Sequence, residues 1–393
     1  MSRNLVIVES PAKAKTIKKY LGKDFEVLAS YGHVRDLVPK KGAVDPDHQF
    51  AMRYQLIDKN EKHVQAISKA MKKAEALYLA TDPDREGEAI SWHLLQVLKD
   101  QKALIDKPVH RVAFYEITRN AIQEAIAHPR DVSDDLVNAQ QARRALDYLV
   151  GFNISPLLWK KAGLPGASAG RVQSPALRLI CERENEILNF KPREYWTVEA
   201  DAAREQQPFP ARLIEYQGNK VEQFTVTEGT TAAQVKQTIE TAAQGQLSVV
   251  HIDKKQRKRN PSPPFTTSTL QQEASRKLGF GAQRTMRLAQ QLYEGVDFGE
   301  GAVGLITYMR TDSVNLAAEA VTEIRQVVSQ QYGAKCLPDT PRTYKTKSKN
   351  AQEAHEAVRP TSAALIPDRL AGKIDADLLK LYTLIWKRTV ASQ

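Results

Sequence analysis

Tyr308 lies in the segment "LITYMRTDS", where a short apolar run meets hydroxyl, basic and acidic side chains. A tyrosine oxygen is a nucleophile that can exchange one phosphoester for another. Arg310, two residues later, would share a face with it in an extended segment, and its planar fork suits two phosphate oxygens. Because a free phenol has a pKa near ~10, nearby positive charge would have to favour the phenolate. The alternative interpretation of Tyr308 is a core aromatic with its hydroxyl bonded to a partner.

Four carboxylates form a second group that could do chemistry. Glu9 follows the first predicted strand, and "TDPDREGE" places Asp82, Asp84 and Glu86 at spacing two after a later strand. In an extended backbone, residues at this spacing point to one face. Crowded carboxylates repel one another unless a cation neutralises them, and Mg²⁺ is the hard, oxygen-ligated choice. The spacing predicts a Mg²⁺ site or a carboxyl kept protonated for general-acid work, with a solvent-facing acidic turn as the alternative.

Composition limits the class of protein. The 393-residue chain is 42% apolar, without an apolar run long enough to span a membrane or to form a signal peptide at its start. A net charge of +11 and a pI near 9.4 indicate a polyanionic partner, and nucleic acid fits best. Cys181 and Cys336 stand far apart without zinc-ligand spacing, so we expect no disulfide framework, no zinc site and a reducing cytoplasm. No G-x-x-x-x-G-K-[ST] loop is present, so a nucleotide-driven motor is not indicated.

The elements that would position these groups alternate between strand and helix over residues 1–130. Strand-like runs such as "NLVIV" and "ALYLAT" are followed by helical stretches such as "AKAKTIKKYLG" and "GEAISWHLLQVLK". This alternation predicts a doubly wound parallel α/β sheet. Functional groups cluster beyond the carboxyl ends of the strands in such sheets, where Glu9 and Asp82 would both lie.

The middle of the chain changes pattern twice. Residues 133–190 read as three helical stretches, "DDLVNAQQARRALDYLVGF", "ISPLLWKKA" and "SPALRLICERENEILNF", with the glycine-rich "GLPGASAG" at 163–170 before the last of them. Three short alternating stretches then predict an antiparallel sheet. The segment 254–265 combines a charge run with three prolines, which predicts a linker or hinge.

The last part reads as mainly helical. Helices at 268–278 and 281–294 precede the predicted strand that carries Tyr308, and a long helix follows from residue 316. The final helical stretch, "DADLLKLYTLIWKRTVASQ", has neither a glycine nor a polar tail to stop it. We therefore expect this sequence to be part of a longer chain.

Ordered motifs carry a resemblance to a known family. A Glu at the first strand tip and Asp-x-Asp-x-Glu at a later one resemble the Toprim domain of topoisomerases, bacterial primases and some nucleases. Together, six motifs are similar to those of bacterial type IA DNA topoisomerases: "VIVESPAKAKTI", "LATDPDREGEAI", "NAQQARRALDYLVGF", "SAGRVQS", "ITYMRTDS" and "EAHEAVRP". The resemblance implies a multidomain α/β and α fold. Its parts would be a Toprim domain with a doubly wound parallel sheet at 1–132, a helical single-strand-binding block at 133–192, a partial antiparallel β arch and linker at 193–265, and a helix-rich catalytic-tyrosine domain at 266–393.

The resemblance also assigns chemical roles. Tyr308 falls on the nucleophile, which in this family joins the 5′ phosphate and leaves a free 3′ hydroxyl. Glu9 would protonate the leaving 3′ oxygen, and Lys13 would add positive charge at the transition state. The implied catalytic set is Tyr308, Glu9, Lys13, Arg310 and His355, and the implied Mg²⁺ ligands are Glu9, Asp82, Asp84 and Glu86. Without the family, His355 would be taken for a surface-helix histidine.

A single DNA strand would lie against the helical block. Arg143 and Asp147, at spacing four, share a helix face, and an ordinary ion pair is the alternative. Phe152 stands where relatives often carry tyrosine, and either ring can stack on a base, as Trp159 could unless it is a core residue. The predicted DNA-binding residues are His33, Arg143, Arg144, Asp147, Phe152, Trp159, Ser168, Ala169, Gly170, Arg171, Val172, Gln173 and Arg310.

These expectations describe a monomeric, nucleoid-associated enzyme of the bacterial cytoplasm that binds DNA and Mg²⁺ and no membrane. It would relax negatively supercoiled DNA without ATP by nicking one strand, passing the other and resealing the nick. The alternatives are a topoisomerase III-like decatenase, a Toprim nuclease or primase that needs no tyrosine, and a segment that only binds single strands. A covalent protein–DNA adduct would separate the tyrosine enzymes from the other two classes.

Overall fold

The computed structural model describes residues 4–299, 301–345 and 356–393, and the structural statements below refer to these ranges. The strands are β1 Asn4–Val8, β2 Phe25–Ala29, β3 Arg35–Leu37, β4 Val44–Asp45, β5 Ala51–Met52, β6 Tyr54–Leu56, β7 Ala76–Leu79, β8 Val109–Arg111, β9 Glu199–Arg204, β10 Gln207–Arg212, β11 Glu215–Tyr216, β12 Asn219–Lys220, β13 Val296–Asp297 and β14 Ala302–Val303. The α-helices are α1 Pro11–Leu21, α2 Glu61–Lys73, α3 Arg85–Asp100, α4 Arg119–Ala127, α5 Asp134–Lys161, α6 Gln173–Leu188, α7 Gly229–Ala243, α8 Thr267–Leu278, α9 Ala282–Glu294, α10 Ala318–Tyr332 and α11 Ala376–Ala391. Among these helices none is both long and apolar enough to cross a membrane.

A four-stranded parallel sheet in the order β2-β1-β7-β8 confirms the predicted doubly wound α/β fold. The residues of β1 alternate between its two faces, and all of their apolar side chains are buried. Leu5 and Ile7 pack with α2 and α3, whereas Val6 and Val8 pack with α1 and with the part of the chain that carries the tyrosine. β2 was not predicted, because its exposed Glu26 interrupts a short apolar run.

Helices begin directly after two of the parallel strands. After β1, the Ser10 side chain accepts a hydrogen bond from the Lys13 amide and caps α1. Asp84, which follows β7, accepts one from the Gly87 amide at 2.9 Å and caps α3. The extended backbone predicted for this acidic segment is therefore wrong beyond Asp84. Glu86 lies in the first helical turn, because an aspartate in the capping position satisfies an amide that the helix leaves free.

The second face of the parallel sheet and the tyrosine-bearing part share one hydrophobic core. Val6 and Val8 of β1 belong to the same buried cluster as Ile306, Met309 and apolar residues of α8 to α11. The helices predicted on both sides of the tyrosine are confirmed as α8, α9 and α10. One core therefore fixes the tyrosine segment against the end of the sheet.

The segment 305–313 that carries the tyrosine is irregular, where a strand was predicted. It has a bridge between Ile306 and Pro360, while the Tyr308 amide donates to the Tyr115 carbonyl at 2.7 Å. Its backbone hydrogen bonds therefore go to scattered loop segments instead of one continuous strand. The apolar run in the sequence reflects burial in the shared core, which periodicity alone cannot distinguish from a strand.

α5 is one 28-residue helix that continues through Pro156, where two helices were predicted. Both predicted irregular segments, the glycine-rich one at 163–170 and the linker at 254–265, lie outside regular helices and strands. Proline removes one backbone donor and does not always end a helix, so the break suggested by the sequence is wrong.

The chain divides into two compact units. One comprises the residues up to Gly170 and from Asn260 onward, and the other is Arg171–Arg259. The smaller unit holds α6, the antiparallel hairpins β9–β10 and β11–β12, and α7. The antiparallel pairing was predicted, but α7 was not, although its Ala232 and Val235 show helical spacing and are buried. The four-part domain division made from the sequence stays a prediction.

Gly304 provides a test of the shared core. A Cβ atom at this position would lie 2.8 Å from the Tyr293 carbonyl oxygen and 3.0 Å from that of Ile117. We expect Gly304→Ala to lower the free energy of unfolding by ~1–3 kcal/mol, because backbone cannot yield as a flexible side chain does. The control is Gly151→Ala in α5, where a Cβ meets nothing within 4 Å and should stabilise by ~0.5–1 kcal/mol. Urea unfolding measures both, and equal stability of the two variants would contradict the shared core.

Candidate active site

A cleft of about 580 Å³ opens at the carboxyl ends of β1 and β7. The four predicted carboxylates line this cleft together with Arg310 and three residues of α9. The residues from α9 are Met286, Arg287 and Gln290. Strand ends of the parallel sheet thus gather groups that are far apart in the sequence.

Tyr308 is buried beside this cleft, with 2% of its surface exposed. Its hydroxyl donates a 2.6 Å hydrogen bond to Asp84 Oδ2, across 224 residues of sequence. Arg310 Nη1 donates to the same oxygen at 3.3 Å. The side chains of Tyr308 and Arg310 therefore lie on the same side of their segment, and both bond to the Asp84 carboxylate.

The surroundings of Tyr308 favour its neutral form. Burial, and next the negative charges of Asp82 and Asp84, raise the pKa of the phenol far above its usual value, and Arg310 opposes this shift. The positive charge that the sequence suggested around the phenol is thus outweighed. Tyr308 is a neutral donor here, and Asp84 is the group in position to accept its proton.

Lys13 lies at the centre of the acidic wall. Its Nζ donates to Glu9 Oε1 and to Asp82 Oδ1, at 2.9 Å each, and the side chain is fully buried. The ammonium also lies 4.9 Å from the ring centroid of Phe114. Burial disfavours the charged lysine, but the two carboxylates outweigh it and raise the pKa of Lys13. This residue is therefore a fixed positive charge.

The pKa values of Glu9 and Asp82 shift in opposite directions, although both carboxylates bond to Lys13. Burial, and next the charge of Asp82, raise the pKa of Glu9 well above its usual value, and Lys13 only partly offsets them. For Asp82 burial acts in the same direction, but Lys13 and Glu9 outweigh it and lower the pKa. Glu9 Oε2 is buried without a hydrogen-bond partner among the described residues. The pair thus combines a carboxyl that holds its proton more tightly than usual with a neighbour that releases its proton more readily, which is the arrangement a general acid needs.

The four predicted metal ligands do not form a ready-made cluster. In the described ranges, no group of three or more His, Cys, Asp or Glu side chains is placed to hold a metal ion. Lys13 occupies the space between Glu9 and Asp82, and both oxygens of Asp84 accept hydrogen bonds. Glu86 lies in the first turn of α3, where an extended segment was expected, and it still lines the cleft. Their role as ligands stays a prediction.

His33 and Glu86 meet at the edge of the cleft. His33 Nε2 lies 3.4 Å from Glu86 Oε2, which also accepts from Gln140 Nε2 at 3.2 Å. The hydrogen bond from His33 is the largest of the effects that lower the pKa of Glu86 to about 2. The predicted strand-binding residue His33 is therefore tied to the acidic wall.

Arg144 in α5 is already paired. Its Nε and Nη2 donate to the two carboxylate oxygens of Asp36 at 2.8 and 2.9 Å. The sequence predicted contact with DNA at Arg144 but did not identify Asp36, which lies 108 residues away in β3. Arg143 is adjacent and contributes a positive charge near Glu86.

The predicted stacking residues on α5 are accessible. Phe152 is 44% exposed and stacks on Tyr148 with ring centroids 4.3 Å apart. Trp159 is 47% exposed, so it is not the core residue considered as its alternative, and its indole donates to the Ala167 carbonyl at 2.6 Å. Asp147 lies on the same helix. These rings are available to a nucleic-acid base.

The remaining predicted residues are distributed over three places. The larger unit holds Ser168, Ala169 and Gly170. The Ala169 amide donates a hydrogen bond to Ser155 Oγ at 3.1 Å. The smaller unit holds the other three, Arg171, Val172 and Gln173, of which the last begins α6. His355 lies outside the described residues.

Two supporting features were not identified from the sequence. Arg111 is fully buried and donates to the carbonyls of Thr81 and Asp82 at 2.9 and 2.7 Å, so it holds the backbone that carries the carboxylates. Glu88 pairs with it at 2.9 Å. The second feature is the position of α9 at the cleft. The helical pattern in the sequence put the polar residues of α9 on one face, but it did not indicate that this face lines the cleft.

Chemically, the cleft combines a tyrosine hydroxyl with an acceptor for its proton, a carboxyl whose pKa is raised, and the positive charges of Lys13 and Arg310. This set suits transfer of a phosphoryl group to the tyrosine oxygen, because nucleophile, base, acid and charge stabilisation are all present.

Comparison with known proteins gives consistent matches over the whole chain. A family model described as DNA topoisomerase matches residues 131–393, and one described as the Toprim domain matches residues 4–117. Proteins named DNA topoisomerase 1 from Xylella fastidiosa (strain Temecula1) and Rickettsia bellii are 64% and 57% identical to it. The matched regions cover 100% and 99% of this chain, and 48% of the length of each relative.

A solved structure is also similar. The full-length topoisomerase I from Thermotoga maritima matches with a TM-score of 0.79 and 39% identity, over 99% of this chain and 60% of that chain. The chain spans about half the length of the curated relatives it matches. With a family model covering more than half of its residues, the chain belongs to the DNA topoisomerase family, and a Toprim domain precedes the region that defines this family.

Proposed function

We propose that this chain carries the cleavage centre of a type IA DNA topoisomerase, which relaxes negatively supercoiled DNA by transient single-strand cleavage, strand passage and resealing without ATP. Family membership and the names of the curated relatives support the proposal. The observation that carries it is the hydrogen bond from the Tyr308 hydroxyl to Asp84, which joins a nucleophile to the acidic cleft.

In the proposed cleavage step, Tyr308 Oη attacks the phosphorus of a backbone phosphate. The new O–P bond forms as the bond to the 3′ oxygen breaks, which leaves a 5′-phosphotyrosine and a 3′ hydroxyl. The phenolic proton passes to Asp84, which already accepts a hydrogen bond from it. Glu9 gives its proton to the leaving 3′ oxygen, and its raised pKa supports this role. The reverse steps reseal the strand, since the phosphoester bond energy is retained.

Two cations balance the charge of the reacting phosphate. Arg310, whose side chain is 54% exposed, can bind the non-bridging oxygens with its guanidinium fork. Lys13 is fixed by two carboxylates, so its field is available without reorganisation of the site. Because the pKa of Tyr308 is raised, its proton leaves during the attack on phosphorus and not before.

Mg²⁺ fits the donor types at this cleft, although the geometry is not preformed. Asp82 and Asp84 offer hard carboxylate oxygens, and Glu9 Oε2 is a buried oxygen without a partner among the described residues. We propose these three as the residues that hold the ion, with Glu86 as a fourth. The ion supplies positive charge that aligns the cut ends for resealing.

The bound strand would continue from the cleft along α5. Arg143, Phe152 and Trp159 are the proposed contacts, because they combine a positive charge with two accessible rings. Arg144 can join them when its pair with Asp36 opens or is shared with a phosphate. The predicted residues Ser168, Ala169 and Gly170 belong to the same proposed path, and Arg171, Val172 and Gln173 stay predicted strand-binding residues of the smaller unit.

The proposed setting is a monomer on the nucleoid of the bacterial cytoplasm. A topoisomerase III-like decatenase uses the same cleavage chemistry, and the names of the relatives favour relaxation. A nuclease or primase with a Toprim domain has no use for the tyrosine cleft. Trapping an adduct on a labelled single-stranded oligonucleotide tests the proposed function most directly, and binding without any adduct would favour a segment that only holds single strands.

The first prediction concerns the nucleophile. Tyr308→Phe removes the attacking oxygen and keeps the ring, so adduct formation should be abolished while single-strand binding stays within about twofold. Tyr293→Phe is the matched control, since that ring is also buried and lies 5.2 Å away, and it should still form the adduct. Adduct is measured by denaturing gel electrophoresis. Adduct formed by Tyr308→Phe would rule out Tyr308 as the nucleophile.

The second prediction concerns resealing. Replacing Asp82 by Asn preserves shape, removes one negative charge and leaves Asp84 to accept the phenolic proton. Cleavage should fall less than resealing, because Asp84, Arg310 and Lys13 still act in the cleavage step, so adduct should accumulate in Mg²⁺. Quenched time courses with and without chelator measure both steps. Resealing by the unmodified chain that is indifferent to chelator would contradict the proposed role of the ion.

A third prediction uses the raised pKa of Glu9. Its protonated form is the active one, so cleavage should decline as pH rises through that raised pKa, which lies above the range of an exposed glutamate. Glu9→Gln should slow cleavage by ~10²–10⁴-fold and abolish this decline. Single-turnover cleavage rates across pH measure the effect. An unchanged alkaline limb in Glu9→Gln would assign it to another group.

A further inference from the structure

α9 contributes Met286, Arg287 and Gln290 to the cleft that the four carboxylates also line. Its apolar residues Leu288, Ala289 and Leu292 are buried in the shared core. Arg287 and Gln290, three positions apart, line the cleft on the opposite face of the helix. The amphipathic pattern of α9 therefore presents polar groups to the reacting strand.

Among the residues that the structure describes, Arg287 differs from Lys13 and Arg310 in having no hydrogen-bond or ion-pair partner. Lys13 and Arg310 each bond to carboxylates. In the part of the chain that the structure describes, Arg287 donates no hydrogen bond and forms no ion pair, although four carboxylates line the same cleft. Arg284, one turn earlier on the same helix, is paired with Asp377.

An unpaired guanidinium beside an acidic wall retains its full capacity for an external anion. A nucleic-acid strand presents a row of phosphates, and cleavage at one of them positions its neighbours along the cleft. Since Arg310 is next to the nucleophile, it takes the reacting phosphate. Arg287, which lies on α9 and not on the tyrosine segment, is free for the next one.

We infer that Arg287 is a phosphate-binding residue that holds a phosphate adjacent to the scissile one, so that the strand is fixed on both sides of the reacting bond. The inference rests on the proposed function for the identity of the strand. α9 and Tyr308 share one core, so the contact stays with the covalently held end of the DNA. Arg287 acts on strand position and takes no part in proton transfer.

The experiment measures binding of the 393-residue chain to a fluorescent single-stranded oligonucleotide from 0.05 to 0.5 M salt, with Tyr308→Phe in every variant to prevent cleavage. For Arg287→Ala, the slope of log K against log salt should become less steep by ~0.7, since one phosphate contact is lost. The affinity at 0.1 M salt should fall about fivefold, which is the same contribution expressed relative to 1 M salt. Arg287→Lys should retain the slope, because the positive charge remains.

Arg276→Ala is the control for net charge, since Arg276 is an exposed arginine on α8 outside the cleft, and its slope should not change. Identical slopes for Arg287→Ala and Arg276→Ala would overturn the inference, as would weaker binding with an unchanged salt slope. Arg287 is exposed, so thermal unfolding of both variants should match the parent protein. Adduct formation by the chain with Tyr308 intact tests the proposed function separately, so the failure of one idea is distinguishable from the failure of the other.

Discussion

The hydrogen bond between the Tyr308 hydroxyl and Asp84 depends on a constraint that organises the larger unit: one hydrophobic core serves both the parallel sheet and the tyrosine-bearing helices. Val6 and Val8 point into this core, while Glu9 follows them at the end of the same strand. Because close-packed cores resist displacement, burial of α9 and of the tyrosine segment fixes the phenol relative to the carboxylates. The site is therefore a consequence of the packing between two distant parts of the chain.

The acidic wall is stable because cations are built into it. Lys13 bridges Glu9 and Asp82, and Arg111 holds the backbone carbonyl of Asp82 from below the sheet edge. Burial alone would raise the pKa of both carboxyls. Lys13 and Glu9 outweigh this effect for Asp82, whose pKa is lowered, whereas Lys13 only partly offsets it for Glu9, whose pKa stays raised. The arrangement provides an acid for the leaving oxygen and a fixed positive charge in the same place.

In this structure the proposed nucleophile, Tyr308, is buried and neutral. Its hydroxyl is buried and bonded to Asp84, and Arg144 is likewise occupied by Asp36. A bound strand has to compete with both contacts, so binding energy from phosphates is coupled to activation of the site. The inferred role of Arg287 follows from this coupling. Because Arg287 has no partner among the described residues, it would bind the strand without first giving up a contact with the protein.

The sequence by itself determined the parallel sheet, the main helices and the identity of the chemical groups, because apolar periodicity and strand-end position are local properties of the chain. It did not determine the turn after Asp84, since capping depends on where the helix begins. Nor did it give the Asp36–Arg144 pair or the buried Arg111, because these contacts join residues far apart in sequence. Tertiary structure alone decided that Lys13 occupies the space between the carboxylates and that burial raises the pKa of Tyr308. Both effects depend on the surrounding dielectric and on distances between remote groups, and neither is encoded in the spacing of residues along the chain.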